Sequence, residues 1–329
     1  MKRALVVGID EYDSHEFPTL AGCVRDAEAI LPLLQEHEQN RETNFDCRSL
    51  GTSDGQPSVT RDEFTLALEQ LFREEADMAV LFFAGHGVPK ADALNLVTSD
   101  GTPVSPGVSF SAILDMIKQS PVDEIIILLD CCFSGGAARI PAISNDLALV
   151  KNGLSILTAS RAGQSAMETE GRGQFSVLLE SGLLGGAADV LGEVSVAGLY
   201  SYVSESFGAW DQRPTFLANV EQLQAIRKCA PSVDPLILRD LPEWFPDPSQ
   251  PHALDPSYEK TTPLPIEADA IELYQRNRTI FSRMQKCAAA KLIVPVGADH
   301  MYFAAMERKA CKLTHLGAHY WELAKKRQL

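Results

Sequence analysis

The sequence has no apolar run near the ~18–20 residues that a membrane-crossing helix needs. No charged-then-apolar leader precedes its first strand-like stretch, MKRALVVGID. Gly and Pro do not dominate; hydrophobic residues make up 45% and charged residues 22%, so a folded chain is expected rather than a disordered one. Basic residues are outnumbered: 29 Lys and Arg stand against 44 Asp and Glu, a formal net charge of −15. That balance argues against nucleic acid or an anionic membrane as the main partner and would suit a basic peptide. There is no P-loop, no G-x-G-x-x-G turn and no G-x-S-x-G elbow, which removes the common signs of nucleotide binding and of a serine hydrolase. Cysteine is sparse and odd in number, seven in 329 residues, which predicts free thiols in a reducing cytosol.

What is present is an alternation. Ala4–Ile9, Met78–Phe83 and Ile125–Leu129 are continuous β-type runs, the pattern of strands buried on both faces. Leu154–Leu157 and Phe216–Val220 are weaker runs of the same kind. Thr60 with Glu63 makes a capping box, and Phe64, Leu68, Leu71 and Phe72 follow at helical spacing. Ala21–Leu34, Ser109–Lys118, Gln174–Gly185 and Val196–Phe207 also read as helices. Strands alternating with helices predict an α/β fold, a mostly parallel sheet with helices on both faces.

Prolines crowd the chain between Cys229 and Pro265, so 229–265 reads as a Pro-rich linker or docking strap. Beyond it, helix is predicted over Ile266–Lys291, a short strand over Leu292–Val296, and helix again over His300–Lys312 and Ala318–Lys326. The expected organisation is a domain at 1–228, the strap at 229–265 and a small α-rich module at 266–329.

Parallel α/β sheets carry their chemistry at the carboxyl ends of their strands. His86 lies at such an end in "AVLFFAGHGV", and Cys131 and Cys132 lie at another in "IIILLDCCFSGG". A cysteine hydrolase needs a thiolate with a histidine within reach, and neighbouring strand ends supply both from distant sequence. Side chains alternate along a strand, so Asp130 and Cys132 should share a side while Cys131 points away into packing. Singly, a strand-end cysteine is most often a small buried hydrophobe and a histidine between glycines a turn residue. The pair in these two contexts points to catalysis.

The segments "GID…LAGCVRDA", "FFAGHG", "LLDCCFSGG" and "LTASRAGQSAMET…GQFSVLL" stand in an order and spacing that resembles the caspase-like C14 cysteine peptidases. The closest likeness is to metacaspases and bacterial orthocaspases, over roughly residues 3–220. The resemblance implies a caspase-like (caspase–hemoglobinase) fold and a cysteine endopeptidase. It implies His86 as the catalytic histidine, Cys132 as the nucleophile, and the backbone N–H groups of Gly87 and Cys132 as the oxyanion hole. It implies that Asp26 and Asp130 line an S1 pocket for Arg or Lys, because two carboxylates in a closed slot favour a cation. Without the resemblance, Asp26 would read as a helix-start carboxylate. Cys23 matches a family cysteine near the site; a buried thiol packing the first helix is the equal alternative.

The chain also departs from the family. The caspase signature QACRG is absent, and the common Ser-Gly-His-Gly is here Ala84-Gly85-His86-Gly87. Calcium-dependent relatives carry clustered acids after the histidine strand; "GVSFSAILDMI" lacks an acidic pair at its start, so no calcium requirement is implied. Asp92, Asp100 and Asp115 are the remaining oxygen donors there. The connector Gly136–Gly153 is short and holds Arg139 and Lys151, candidate self-cleavage points. Cys311, His315 and His319 recur every four residues, but Gly317 interrupts them, and no metal or other cofactor is expected. The implied partners are a protein or peptide substrate with a basic P1 residue and an activating partner met through the C-terminal module, as in a defence or cell-death pathway. The rival reading is a caspase-fold scaffold that binds a peptide or partner without turnover.

Overall fold

The computed structural model describes residues 1–52, 58–90, 93–133, 151–159, 168–169, 171–207, 214–221 and 223–329, with only the backbone at Thr52, Ala93, Cys132, Phe133, Glu168 and Thr169. The apolar runs pair as one sheet. Its strands are β1 (Lys2–Ile9), β2 (Asp46–Thr52), β3 (Met78–Lys90), β4 (Ala93–Val97), β5 (Gly107–Ser109), β6 (Glu124–Phe133) and β7 (Leu154–Thr158). A two-stranded hairpin, β8 (Glu168–Thr169) and β9 (Arg172–Gly173), and a short ribbon strand, β10 (Glu193–Val194), come next. Then follow β11 (Thr215–Asn219), which closes the sheet, and β12 (Arg227–Lys228), which pairs with β10. The order is β11–β7–β6–β3–β1–β2. The pairs from β2 to β7 are parallel, and β11 runs antiparallel to β7.

The central parallel strands of this sheet feed two apolar layers, as a period of two requires. Leu5, Val7, Ile9, Ile125, Ile127, Leu129 and Cys131 face α2 (Arg61–Phe72) and α3 (Phe110–Gln119). Ala4, Val6, Ile126 and Leu128 face α1 (Cys23–Gln35), α4 (Gln174–Ser181) and α5 (Val196–Ser206). Fully buried anchors such as Phe64 and Phe175 each contribute about 2–3 kcal/mol by leaving water. Helix starts follow local rules: Thr60 Oγ1 accepts the Glu63 N–H at 3.2 Å, and Ser109 Oγ accepts that of Ala112 at 3.2 Å.

The two central strands overshoot their neighbours. β3 and β6 stay paired from Met78–Glu124 to Gly87–Phe133. β1 leaves β3 at Gly8–Ala84, and β7 leaves β6 at Leu129–Thr158. The sequence puts His86 and Cys132 at strand ends; both lie inside the strands, because β4 folds back on β3 (Gly87 opposite Leu96) and prolongs the ladder. β2 lies at the sheet edge, and its mostly polar "DCRSLGT" carries no apolar run or alternation to mark it as a strand.

The chain divides into Met1–Ala188 with Glu193–Ala230, and Asp189–Gly192 with Pro231–Leu329. The second unit has its own core. The Pro-rich stretch read as a strap supplies part of it: Leu238, Leu241, Trp244, Phe245, Leu254 and Tyr258 are buried beside Phe281, Met284 and Trp321. Three of its prolines sit in first helical turns, where a missing N–H costs nothing: Pro235 opens α6 (Pro235–Leu238), Pro242 is second in α7 (Leu241–Trp244), and Pro256 starts a 3₁₀ turn, Pro256–Tyr258. The unit continues with β13 (His252–Ala253), α8 (Ala268–Ala289), β14 (Ile293–Val296), α9 (Met301–Met306), β15 (Ala310–Leu313) and α10 (His315–Lys325). The helix expected over His300–Lys312 therefore stops early. "ACKL" buries Cys311 and Leu313 and exposes Lys312, a strand period between two partners. No helix among the described residues is long and apolar enough to cross a membrane.

Candidate active site

Where β1 ends, the chain turns back over the overshooting end of β3. Tyr12 Oη accepts the His86 backbone N–H at 2.9 Å and donates to the Ile9 carbonyl at 3.0 Å. The rings of Tyr12 and Phe17 lie 4.8 and 6.2 Å from the imidazole centroid. His86 Nε2 is 2.7 Å from the Pro18 carbonyl oxygen. A carbonyl only accepts, so Nε2 carries the proton and the lone pair of the neutral ring is on Nδ1. Burial lowers the His86 pKa, and the Pro18 bond opposes that shift. Across the ladder, His86 is in register with Cys132. Cys131 is buried in the α2–α3 layer, against the position a Cβ on Gly87 would take, at 3.1 Å from its Sγ.

On the other side of the sheet two buried carboxylates meet. Asp26, on the first turn of α1, accepts Arg172 Nε at 2.8 Å on Oδ1 and the Gly173 N–H at 3.0 Å on Oδ2. Asp130, next to Cys131 on β6, accepts Ser176 Oγ at 2.6 Å and the Ser176 N–H at 3.2 Å, both on Oδ2. Gly173, the N-cap of α4, has no side chain to cap that helix, so Asp130 supplies the carboxylate from another strand. A Cβ on Gly173 would lie 2.2 Å from Asp130 Oδ2 and 3.1 Å from Asp26 Oδ2, so only glycine fits between the two acids. Burial raises the Asp26 pKa to about 6; the Gly173 and Arg172 bonds pull it down and Asp130 pushes it up. Arg172 also reaches Glu180 Oε2 at 2.6 Å through Nη1.

Cys23 begins α1, whose first N–H groups, on Cys23 and Val24, go to the Asp10 carboxylate at 2.8 and 3.3 Å. Burial, and then the charges of Asp10, Asp130 and Asp26, push its thiol up, so it is held neutral. Lys151 Nζ is bound to the Ser120 and Val122 carbonyls, each at 2.6 Å. Arg139 and Asp92 lie outside the described residues. Asp100 Oδ1 accepts Thr98 Oγ1 at 2.6 Å and the Arg61 N–H at 3.0 Å, and Asp115 pairs with Lys118 on one helix. Among the described residues no three His, Cys, Asp or Glu side chains converge as a metal site, and Cys311 is on a strand, apart from the helix of His315 and His319.

The structure thus gathers His86 in register with Cys132, and Asp26 with Asp130. It adds Tyr12, Pro18, Arg172, Gly173 and Ser176, which sequence reasoning passed over. Asp10 and Tyr12 in "GIDEYD" directly follow the first strand, a usable signal; nothing local marked Pro18 or Arg172.

The family model of the C14 peptidase caspase domain matches residues 1–276, and the chain belongs to that family. The central, mostly parallel sheet with helices on both faces is the caspase-like fold. A protein of Geobacter sulfurreducens, GSU0716, has the same fold over 67% of this chain and 94% of its own, with a TM-score of 0.50 and 15% identity. Caspase-1 from Spodoptera frugiperda aligns over 69% of this chain and 90% of its own, with a TM-score of 0.45 and 14% identity. No curated protein matches the chain.

Proposed function

We propose that the chain is a cysteine endopeptidase of metacaspase type, with Cys132 as nucleophile and His86 as its proton partner. The observation that carries this is the register of His86 with Cys132 on two overshooting strands, with the imidazole Nε2 proton committed to Pro18. Nδ1 is then the nitrogen left for the thiol. The Cys132 thiolate attacks the scissile carbonyl, and the backbone N–H groups of Gly87 and Cys132 receive the oxyanion. Imidazolium His86 gives its Nδ1 proton to the leaving amine. Neutral His86 then takes a proton from the water that hydrolyses the thioester.

Asp26 and Asp130 support cleavage after Arg or Lys, since two buried acids meeting at one glycine make a slot hostile to an acidic side chain. For Asp26 to serve, Arg172 must give way to the P1 residue. Self-cleavage after Arg139 or Lys151 and control by a partner met through the second unit complete the proposal, in a reducing compartment. The test is a fluorogenic panel with Arg, Lys or Asp at P1, on wild type and Cys132→Ala, with and without calcium. Hydrolysis of the Arg and Lys peptides by wild type alone is expected. Equal hydrolysis by both proteins would sink the dyad, and preference for Asp would sink the pocket. Cleavage after Arg139 or Lys151, absent from Cys132→Ala, is read by mass spectrometry.

A further inference from the structure

The acid excess is not shared along the chain. From residue 273 to the C-terminus there are eleven Lys or Arg and three Asp or Glu, so the negative charge belongs to what precedes. The bulk value of −15, which argues against nucleic acid, says nothing about this segment.

The second unit also has a specific connectivity. After α7 come β13, the 3₁₀ turn, α8, β14, the short helix α9 and β15, and the sheet order is β13–β15–β14 with both pairs antiparallel. With α9 set aside as an insertion between the last two strands, the order of helix, strand, helix pair and two antiparallel strands, the last one in the middle, is that of a winged helix–turn–helix. Here the 3₁₀ turn takes the place of the short helix and α8 that of the helix that reads DNA. The two are locked together: Asn277 Nδ2 donates to Ser257 Oγ at 2.7 Å in a buried bond, and the Tyr258 and Phe281 rings meet edge to face at 6.0 Å.

The long helix α8 is two-faced. Asn277, Phe281, Met284 and Cys287 are buried. Gln275, Arg276, Thr279, Arg283 and Lys286 are exposed on the opposite side, at spacings of three and four. These are side-chain types that contact phosphates and base edges. Arg283 is shared with Asp240 at 2.5 Å, and Asp269 and Glu272 are acids at the N-terminal end of this face. The connection between β14 and β15, where a wing would be, holds α9 and carries exposed Arg308 beside exposed Glu307.

We propose that the second unit binds double-stranded DNA, with the Arg276–Thr279–Lys286 face of α8 in the major groove. A helix about 10–12 Å across fits the ~12 Å major groove of B-DNA, whereas the A-form groove of duplex RNA is too narrow and deep to admit it. This binding is independent of the peptidase reading.

The test uses the full chain as Cys132→Ala, which removes self-digestion, and a labelled 30-base-pair duplex followed by fluorescence anisotropy from 50 to 200 mM salt. Dissociation constants of roughly 10⁻⁶ to 10⁻⁴ M are expected, weakening with salt as counterions are released. The exposed double variant Arg276→Ala/Lys286→Ala should bind about tenfold more weakly and lose about two units of salt slope, with an unchanged circular dichroism spectrum. Absence of binding at 50 mM salt overturns the proposal, as does wild-type affinity in the double variant. Equal affinity for duplex RNA or for a poly-glutamate peptide also overturns it; the latter would make the surface a dock for an acidic protein.

Discussion

Arg172 Nε lies 2.8 Å from Asp26 Oδ1, so a guanidinium of the chain itself holds one of the two acids proposed for the S1 pocket. The chain carries on Asp26 the kind of group that a basic P1 residue would bring. Arg172→Gln should lower the KM for P1-Arg peptides several-fold, because the incoming guanidinium no longer displaces a resident one. It should also cost about 3 kcal/mol of stability, the low end for breaking a buried pair, since Arg172 keeps 21% of its side chain exposed. Steady-state kinetics and denaturant unfolding read the two effects. An unchanged KM would mean that substrate does not reach Asp26.

Asp26 also sets a pH dependence. Its folded pKa of about 6 stands above the ordinary aspartate value of 3.8, so between these two values the folded protein holds a proton that the unfolded chain has released. This contribution to stability is full below about 4 and is lost as pH rises through about 6. Asp26→Asn carries no such proton. Unfolding free energies at pH 5 and 7 should shift in favour of the variant at the higher pH, whatever its absolute stability.

Tyr12→Phe removes the acceptor of the His86 backbone N–H and the donor to Ile9. The unsatisfied N–H costs about 1–3 kcal/mol. The loosened histidine should lower kcat on P1-Arg peptides roughly ten- to a hundred-fold with little change in KM, because position and not substrate binding is lost. A rise in KM at constant kcat would place Tyr12 in substrate binding instead.

Gly173→Ala forces a methyl to within 2.2 Å of Asp130 Oδ2. The expected result is a loss of about 3 kcal/mol as the acid and the start of α4 are pushed apart. Ser176→Ala removes the 2.6 Å bond to the same oxygen without a clash, and should cost about 1.5–3 kcal/mol. Thermal unfolding of the two variants separates steric from hydrogen-bond loss.

Trp244 tests the role of the Pro-rich stretch. It is 5% exposed in the core of the second unit. Trp244→Ala should therefore destabilise by about 3–5 kcal/mol, as a large core residue does. A loose strap would give a change near zero in the same denaturant titration.

Strand and helix periodicity sufficed for much of the first unit. "ALVVGI", "MAVLFF" and "IIILL" became the buried strands β1, β3 and β6, because runs apolar on both faces have no stable place except inside a covered parallel sheet. The same reasoning does not reach 229–265, where prolines read as punctuation. There they open helical turns whose Leu, Trp and Phe side chains are buried by partners more than thirty residues away, such as Trp321, whose Nε1 donates to the Phe245 carbonyl at 2.7 Å. Whole-chain charge likewise averages an acidic region with a basic one.

By itself the sequence determined the alternating architecture, the strand contexts of His86 and Cys132, and the sidedness of Cys131, since these depend on residues near one another or on a period of two. Only the tertiary structure decided how the ends of the strands are used. The overshoot of β3 and β6 arises from where β1 and β7 stop pairing. The His86 tautomer is fixed by a carbonyl at Pro18, and Asp26 is bound by an arginine far along the chain. Such contacts join residues distant in sequence, and no local period or propensity encodes them.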